Sequence, residues 1–302
     1  MLFINIILPV FLIIFSGYLL ERKFTLDFRT LTNASLYLFS PALVFAALMK
    51  QQIRVDLATD IFLFMVLYTL TLLAIAVGTG RLLRMTADRR AALSLSTVMM
   101  NVGNFGLPLS WFAFGAAGLE VSVLTFVLFN IPLSTLAIVL AQGGGAPLRD
   151  AVGNALRIPI FHALVLALLL KALAIVPPEF VLRPVELLGQ AAIPLMLVLL
   201  GMQLARTRLV AHPGFLALSS GMRLLLAPAV AWMLTALLGI DGITRAVLIL
   251  QTSTPAAVLP LLYALRFGTR PDLVAGAIFI TTLLSALSLT GLLYLLQMTG
   301  MM

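Results

Sequence analysis

Apolar residues dominate ten stretches of this chain, and a short segment separates each stretch from the next. The stretches lie near residues 2–20, 30–49, 61–83, 91–114, 121–141, 156–176, 184–205, 214–238, 245–266 and 272–297. Most hold about 20 residues, which is the length that a helix needs to cross the hydrocarbon core of a bilayer. The pattern therefore predicts an all-α integral membrane protein with ten membrane-spanning helices, called spans one to ten below.

Composition supports the same fold class. Of the 302 residues, 62% are hydrophobic and 10% are charged, whereas soluble domains are about 45–50% apolar and roughly 25% charged. Cysteine is absent, so neither a disulfide framework nor a thiolate metal site is expected. The first apolar run, residues 2–20, lacks a basic segment before it and a small-residue cleavage site, so we interpret it as a retained helix.

Lysine and arginine are distributed unevenly between the two sides of the predicted membrane. With the N-terminus outside, the cytoplasmic loops hold Arg22, Lys23, Arg29, Arg81, Arg84, Arg89, Arg90, Arg149, Arg157, Arg206, Arg208, Arg266 and Arg270. The outer side holds Lys50, Arg54, Lys171, Arg183 and Arg245. The positive-inside rule therefore predicts that both termini face outward from the cell (inner) membrane. Because these loops account for the net charge of +8, we expect the lipid bilayer and no nucleic acid as a partner.

The two halves of the chain resemble each other in sequence. RRAALSL (89–95) pairs with TRAVLIL (244–250), FGAAGLEVSV (114–123) with FGTRPDLVAG (267–276), LPVF (8–11) with IPIF (158–161), and SPALVFAALMK (40–50) with IPLMLVLLGMQ (193–203). The pairs share one order and an offset of about 150 residues. This predicts a five-helix repeat over 1–141, a short cytoplasmic linker over 142–155, and a second repeat over 156–302. Since five is odd, the second repeat would be inverted, as in many secondary transporters.

Spans four and nine each contain residues that interrupt a helix. The interruptions are NVGNFGLP (101–108) and STPAAVLP (253–260), in which proline removes a backbone donor and glycine permits unusual backbone angles. The freed backbone groups must be buried in protein or line a watery cavity, because lipid cannot satisfy them. Paired breaks at matching positions predict a transporter's binding site, and helix N-termini there suit an anion. The alternative is a pair of proline kinks without a ligand.

The candidate substrate site combines residues of the two breaks with polar residues of other spans. Its members are Asn101, Gly103, Asn104, Gly106, Pro108, Ser253, Thr254, Pro255, Pro260, Asn130, Arg223 and Ser40, with Gln251 as a candidate ligand for either a cation or the substrate. The amide of Asn101 can donate to a carboxylate without the cost of a buried charge.

Three of these residues lie outside the breaks and have structural alternatives. Arg223 lies near the midplane of span eight, where it could bind a carboxylate through two parallel hydrogen bonds. It could instead cap carbonyls at a broken helix end or occupy a water-filled crevice. Asn130 could reach the cavity or form a helix–helix hydrogen bond. Ser40 could border the site or stabilise packing.

The two breaks resemble the crossovers of the auxin efflux carrier family, which includes plant carriers and small bacterial permeases for dicarboxylates such as malonate and malate. Asn101 followed by GLP (106–108) is similar to the first crossover of that family. TPAAVLP (254–260) and RPDL (270–273) are similar to the second crossover and the start of the last helix. LYLFSPALVFAAL (36–48) resembles the second span, and the short QGGGAPLRD (142–150) resembles the compact bacterial type.

The resemblance implies the two-domain architecture of the bile-acid sodium symporters. Spans 1, 2, 6 and 7 would form a scaffold and the contact of a homodimer, and spans 3–5 and 8–10 would form a transport domain in which helices four and nine cross. It also implies efflux of a small organic anion, such as malonate, malate or an auxin-like acid, by an elevator-type motion.

Other function classes receive less support from the residues. A sodium- or proton-coupled symporter is the main alternative, although no carboxylate lies next to the second break to help hold sodium. A channel or receptor is an alternative of another class. An enzyme is not expected, because the two histidines are distant and no H-E-x-x-H motif is present. The sequence accordingly predicts no cofactor and no metal.

Overall fold

The computed structural model describes residues 1–24, 26–50, 55–142, 159–207 and 212–301, except for the side chains at 55 and 130–134. All the regular elements within these ranges are helices. They are α1 (Leu8–Lys23), α2 (Phe28–Ala34), α3 (Ser40–Lys50), α4 (Val55–Leu82), α5 (Ala87–Val98), α6 (Leu107–Ala141), α7 (Pro159–Ala172), α8 (Glu179–Arg206), α9 (Pro213–Gly221), α10 (Ala227–Leu237), α11 (Gly242–Thr252), α12 (Leu259–Phe267) and α13 (Pro271–Met298).

Four wide, π-helical turns adjoin these helices. They comprise Phe3–Ile7 before α1, Ser35–Phe39 between α2 and α3, Val102–Gly106 before α6, and Met222–Leu226 between α9 and α10. A π-helical turn inserts an extra residue into the helix and is frequent at functional sites. Two of the four lie in segments that carry candidate site residues, Asn104 and Arg223.

When each π-helical turn is counted together with the helices that it adjoins, seven helices in the described ranges are long and apolar enough to cross a membrane. This confirms the all-helical membrane protein that the hydropathy pattern predicts. The other three predicted spans do not reach that length as single helices. Span four is divided between α5 and the start of α6, span six is represented by the shorter α7, and span nine is divided between α11 and α12. The count of ten and the inverted repeat therefore stay predictions.

Helix α6 is a helical hairpin with two arms. Its 35 residues would extend about 50 Å if the helix were straight, well beyond the ~30 Å of a bilayer core. The helix is interrupted at Gly115, whose φ of 62° and ψ of −147° are not helical. A Cβ at Gly118 would lie 2.9 Å from the carbonyl oxygen of Ser110, so residues eight positions apart come into contact. The chain therefore turns back at Gly115.

The turn at Gly115 has a counterpart in the second half of the chain. Gly268 ends α12 with a φ of 69°, and each of the two glycines follows a phenylalanine in the sequence pair that aligns the halves. Positive φ favours glycine because it has no Cβ. Both aligned FG pairs thus place glycine where the backbone needs positive φ.

Helices α1, α3, α7 and α8, which correspond to spans one, two, six and seven, form one packing group, in which α8 contacts α1 and α3, and α3 contacts α7. The contact between α1 and α8 brings the two backbones together at glycines. A Cβ at Gly17 would overlap the carbonyl oxygen of Val198, and a Cβ at Gly201 would overlap that of Ile14. Close contact of backbones through small residues is typical of membrane helix pairs.

The remaining helices form a second packing group. Helix α4 packs on α5, α6 and α10; α11 packs on α6 and α10; and α13 packs on α5, α9 and α12. The two groups meet where the turn Val102–Gly106 contacts α8. The rings of Phe11 and Phe105 also meet edge to face there, with 6.0 Å between their centroids. The first helix break therefore lies at the boundary between the two groups.

Candidate functional site

The two predicted breaks are present, and each separates a helix end from a helix start. Helix α5 ends at Val98, and α6 begins at Leu107 after the turn Val102–Gly106. Helix α11 ends at Thr252, and α12 begins at Leu259. Both downstream helices begin with a proline in the first turn, Pro108 and Pro260, where the missing N–H is of no consequence.

The breaks cross and pair through their backbones. The N–H of Asn101 donates to the carbonyl of Pro255 at 2.9 Å, and the N–H of Ala257 donates to the carbonyl of Met99 at 2.8 Å. Met100 and Ala256 lie opposite each other in this antiparallel pair. Each break thereby satisfies backbone groups that the other leaves free, as burial in a membrane protein requires.

The pairing predicts a disulfide in the Met100→Cys, Ala256→Cys variant. The two residues form a non-hydrogen-bonded antiparallel pair, in which the Cα atoms are about 4.5 Å apart and within disulfide range. Since the chain has no other cysteine, oxidation in membrane vesicles should leave no thiol to alkylate after the protein is denatured. The control variant Met99→Cys, Ala256→Cys should stay reduced, because successive side chains point to opposite faces. Free thiols at 100 and 256 after oxidation would contradict the crossing.

Asn101 holds a buried donor at the crossing. The residue is 5% exposed, and its backbone carbonyl accepts the N–H of Gly106 at 2.9 Å. Within the described part of the chain, its side-chain nitrogen Nδ2 has no hydrogen-bond partner. A buried amide without a partner costs about 1–3 kcal/mol. This donor is therefore available to a ligand.

Arg223 caps the ends of both broken helices. Its side chain is fully buried, and its guanidinium donates to the carbonyl of Thr97 at 2.6 Å and to the carbonyl of Thr252. It also donates to the hydroxyl of Tyr68 at 2.8 Å. These carbonyls lie at the C-terminal ends of α5 and α11, where the helix dipole is negative. The geometry matches the carbonyl-capping alternative; only Nε has no partner among the described residues.

Gln251 joins α11 to both arms of the α6 hairpin. Its side-chain nitrogen Nε2 donates to the hydroxyl of Ser110 at 3.2 Å and to that of Ser122. These serines are twelve positions apart, about 18 Å along a straight helix, so one amide reaches both only because the chain turns back. A Cβ at Gly106 would overlap the Gln251 oxygen Oε1.

The other predicted site residues divide into those at the crossing and those elsewhere. The hydroxyls of Ser253 and Thr254 donate to carbonyls of α11, those of Ile249 and Gln251. A Cβ at Gly103 would lie 2.7 Å from the ring of Phe126, so this glycine also permits close packing.

Three predicted site residues contribute less to this geometry. Asn104 is half-buried in the turn Val102–Gly106. Ser40 is buried on α3, which belongs to the other packing group. The side chain of Asn130 lies outside the described residues.

Several residues that hold the crossing were not singled out from the sequence. The hydroxyl of Tyr68 donates to the carbonyl of Thr252 at 2.9 Å, and Thr281 on α13 accepts the N–H of Ala256 at 3.1 Å. Ser110 and Ser122 hold Gln251. The signal that could have found them is a hydroxyl in the middle of an apolar span.

Comparison with known families adds an independent observation. Residues 2–152 and 148–293 match the family described as "Membrane transport protein". The chain belongs to this family. It is the auxin efflux carrier family that the two breaks resemble, so that resemblance is confirmed.

Relatives in the membrane transport protein family align over nearly the whole chain. An "Uncharacterized transporter" of Methanothermobacter thermautotrophicus is 27% identical over 94% of this chain and 95% of its own length. A "Putative malonate transporter" of Rhizobium meliloti is 29% identical over 97% of this chain and 95% of its own. An uncharacterized transporter of Methanocaldococcus jannaschii is 24% identical over 94% of this chain and 95% of its own. Membership in this family makes the protein a membrane transport protein.

Proposed function

We propose that the protein is a secondary transporter of small carboxylates and that Asn101 at the crossing binds the substrate. The observation that carries this proposal is the side-chain nitrogen of Asn101, a buried donor with no partner in the described part of the chain. It lies beside the paired breaks of two helices. A carboxylate oxygen of the substrate would accept a hydrogen bond from this donor, and the protein would then need no further buried charge to bind it.

The electrostatics of the crossing support an anionic substrate. Two C-terminal helix ends, those of α5 and α11, carry partial negative charge, and Arg223 donates to a carbonyl of each. Two N-terminal helix ends, those of α6 and α12, carry partial positive charge. With the negative ends capped by a cation, the balance at the crossing is positive.

The packing of the helices supports an alternating-access motion. In the proposed elevator, α1–α3, α7 and α8 form the scaffold, and α4–α6 with α9–α13 form the transport domain. The glycine contact between α1 and α8 supports a rigid scaffold, and the first break lies where the two groups meet. The protein would form a homodimer through the scaffold. It would lie in the cell inner membrane with both termini outside.

A dicarboxylate such as malonate is the first substrate to test. The name of the Rhizobium meliloti relative includes malonate, and its alignment covers 97% of this chain. The proposed direction of transport is efflux. The sodium-coupled alternative has less support, because residues 244–266, which surround the second break, contain no carboxylate.

Malonate is expected to raise the thermal unfolding midpoint of the purified protein. A ligand that binds only the folded state stabilises it by about 2.7 kcal/mol at one hundred times its Kd. The screen would include malate and an auxin-like monocarboxylate, with malonamide as a neutral control of similar shape. We expect a shift with at least one carboxylate and none with malonamide. If no carboxylate shifts the midpoint, the proposed substrate class is wrong.

A further inference from the structure

We propose that Gln251 is a positioning residue that holds the Asn101 amide in its binding orientation. This inference rests on the proposed function, because it assigns Gln251 a role in substrate affinity. It is an alternative to the sequence prediction that Gln251 is a ligand for either a cation or the substrate. The observations that carry it are the hydrogen bonds to the two arms of α6 and the contact with Gly106.

The side chain of Gln251 is fully buried and contacts three points of α6 and the turn before it. The side-chain nitrogen donates to Ser110 on the first arm and Ser122 on the second, which fixes the end of α11 against the hairpin. The side-chain oxygen lies against Gly106, where any Cβ would overlap it. Gly106 thus provides the space that the amide occupies.

The path from Gln251 to Asn101 is short and runs through the backbone. Gly106 donates its N–H to the carbonyl of Asn101 at 2.9 Å. A shift of the Gln251 amide therefore moves Gly106, and the hydrogen bond passes that shift to Asn101. Asn101 also donates its N–H to the carbonyl of Pro255, four residues after Gln251, so the chain that follows Gln251 contacts Asn101 directly as well.

This geometry separates positioning from direct binding. The side-chain nitrogen of Gln251 is occupied by the two serine hydroxyls. Its side-chain oxygen lies against Gly106 without a hydrogen-bond partner among the described residues, and as an acceptor it cannot bind a carboxylate oxygen. Loss of these hydrogen bonds should remove no group that contacts the substrate, but it should leave the Asn101 amide less well oriented. Weak orientation lowers affinity because part of the binding energy is then used to order the site.

The first experiment is Gln251→Met, which keeps the length of the side chain but cannot form either hydrogen bond. We expect the Kd for malonate to rise about tenfold, equivalent to 1.4 kcal/mol. Independently of any ligand, oxidation of the Met100→Cys, Ala256→Cys pair should slow severalfold in this background. Wild-type malonate affinity together with a wild-type oxidation rate would overturn the proposal.

The second experiment is a double-mutant cycle with Ser122→Ala, a milder variant that removes one hydrogen-bond partner of Gln251. Because Gln251 and Ser122 share one interaction, their effects on the oxidation rate should not add. Ser285→Ala is the matched control. Ser285 is also fully buried, but its hydroxyl donates to the backbone carbonyl of Thr282 on its own helix at 2.7 Å. Its effect should add to that of Gln251→Met. Additive effects of Ser122→Ala would overturn the inference.

The oxidation rate also distinguishes the two proposals. If the wild-type protein binds no carboxylate, the proposed function is wrong, and binding data cannot test Gln251. The oxidation rate then decides alone whether Gln251 orients the crossing. A slower rate in Gln251→Met would support positioning of the crossing, and an unchanged rate would refute it.

Discussion

Arg223→Ala is expected to destabilise the protein more than any other single substitution considered. The change removes a cation from the carbonyls of Thr97 and Thr252 and from the hydroxyl of Tyr68, all inside the protein. The loss leaves the buried carbonyl of Thr97 without this donor, which costs about 1–3 kcal/mol, and it removes the positive charge from two negative helix ends, which adds up to about 2 kcal/mol. We expect a marked fall of the thermal unfolding midpoint in detergent and little monodisperse protein.

Two further variants show whether this loss comes from the capping geometry. Arg223→Lys keeps the charge but loses the planar fork, so it should reach fewer of the three acceptors and recover only part of the stability. Arg183→Ala is the matched control, because Arg183 forms an exposed pair with Glu179 that contributes about 0–1 kcal/mol. An Arg223→Ala protein with the wild-type midpoint would show that the capping contributes no stability.

Asn101→Ala is expected to weaken carboxylate binding by roughly 5- to 150-fold. The estimate corresponds to about 1–3 kcal/mol for a buried polar partner left without its hydrogen bond. Because the backbone of Asn101 still pairs with Pro255, the crossing should survive the substitution. Malonate binding by calorimetry and uptake into vesicles measure the effect, with monodisperse chromatography as the check on folding.

A charge variant makes the Asn101 prediction sharper. Asn101→Asp has nearly the same shape, but its carboxylate would repel an anion, so binding should fall further than in Asn101→Ala. The matched control is Asn33→Ala, which removes an exposed amide on α2. Wild-type binding by folded Asn101→Ala protein would remove Asn101 from the site.

The sequence predicts the breaks well because glycine and proline act locally. The interruption after residue 98 and the one after residue 252 follow from the backbone chemistry of the residues printed there. The turn at Gly115 lies at the start of the segment 115–120 that separates the predicted spans four and five. Such features require no knowledge of distant partners.

The partners of buried polar side chains could not be predicted in the same way. Arg223 lies 126 positions from Thr97 and binds its backbone carbonyl, a group that every residue carries. No residue type marks that acceptor in the sequence. Gln251 similarly reaches serines 141 and 129 positions away, through a hairpin whose packing against α11 only the fold reveals.

The buried cation has a consequence for how voltage would act on the carrier. Arg223 is the one charged side chain in the buried set of the described residues, and in the proposed elevator it travels with the transport domain. An empty domain would then move with one positive charge, and a domain loaded with a dianion would move with one net negative charge. Moving one elementary charge across the whole membrane changes the free energy by about 2.3 kcal/mol per 100 mV of membrane potential. An inside-negative potential would thus drive the loaded carrier outward and the empty carrier inward, so export could proceed without a coupling ion.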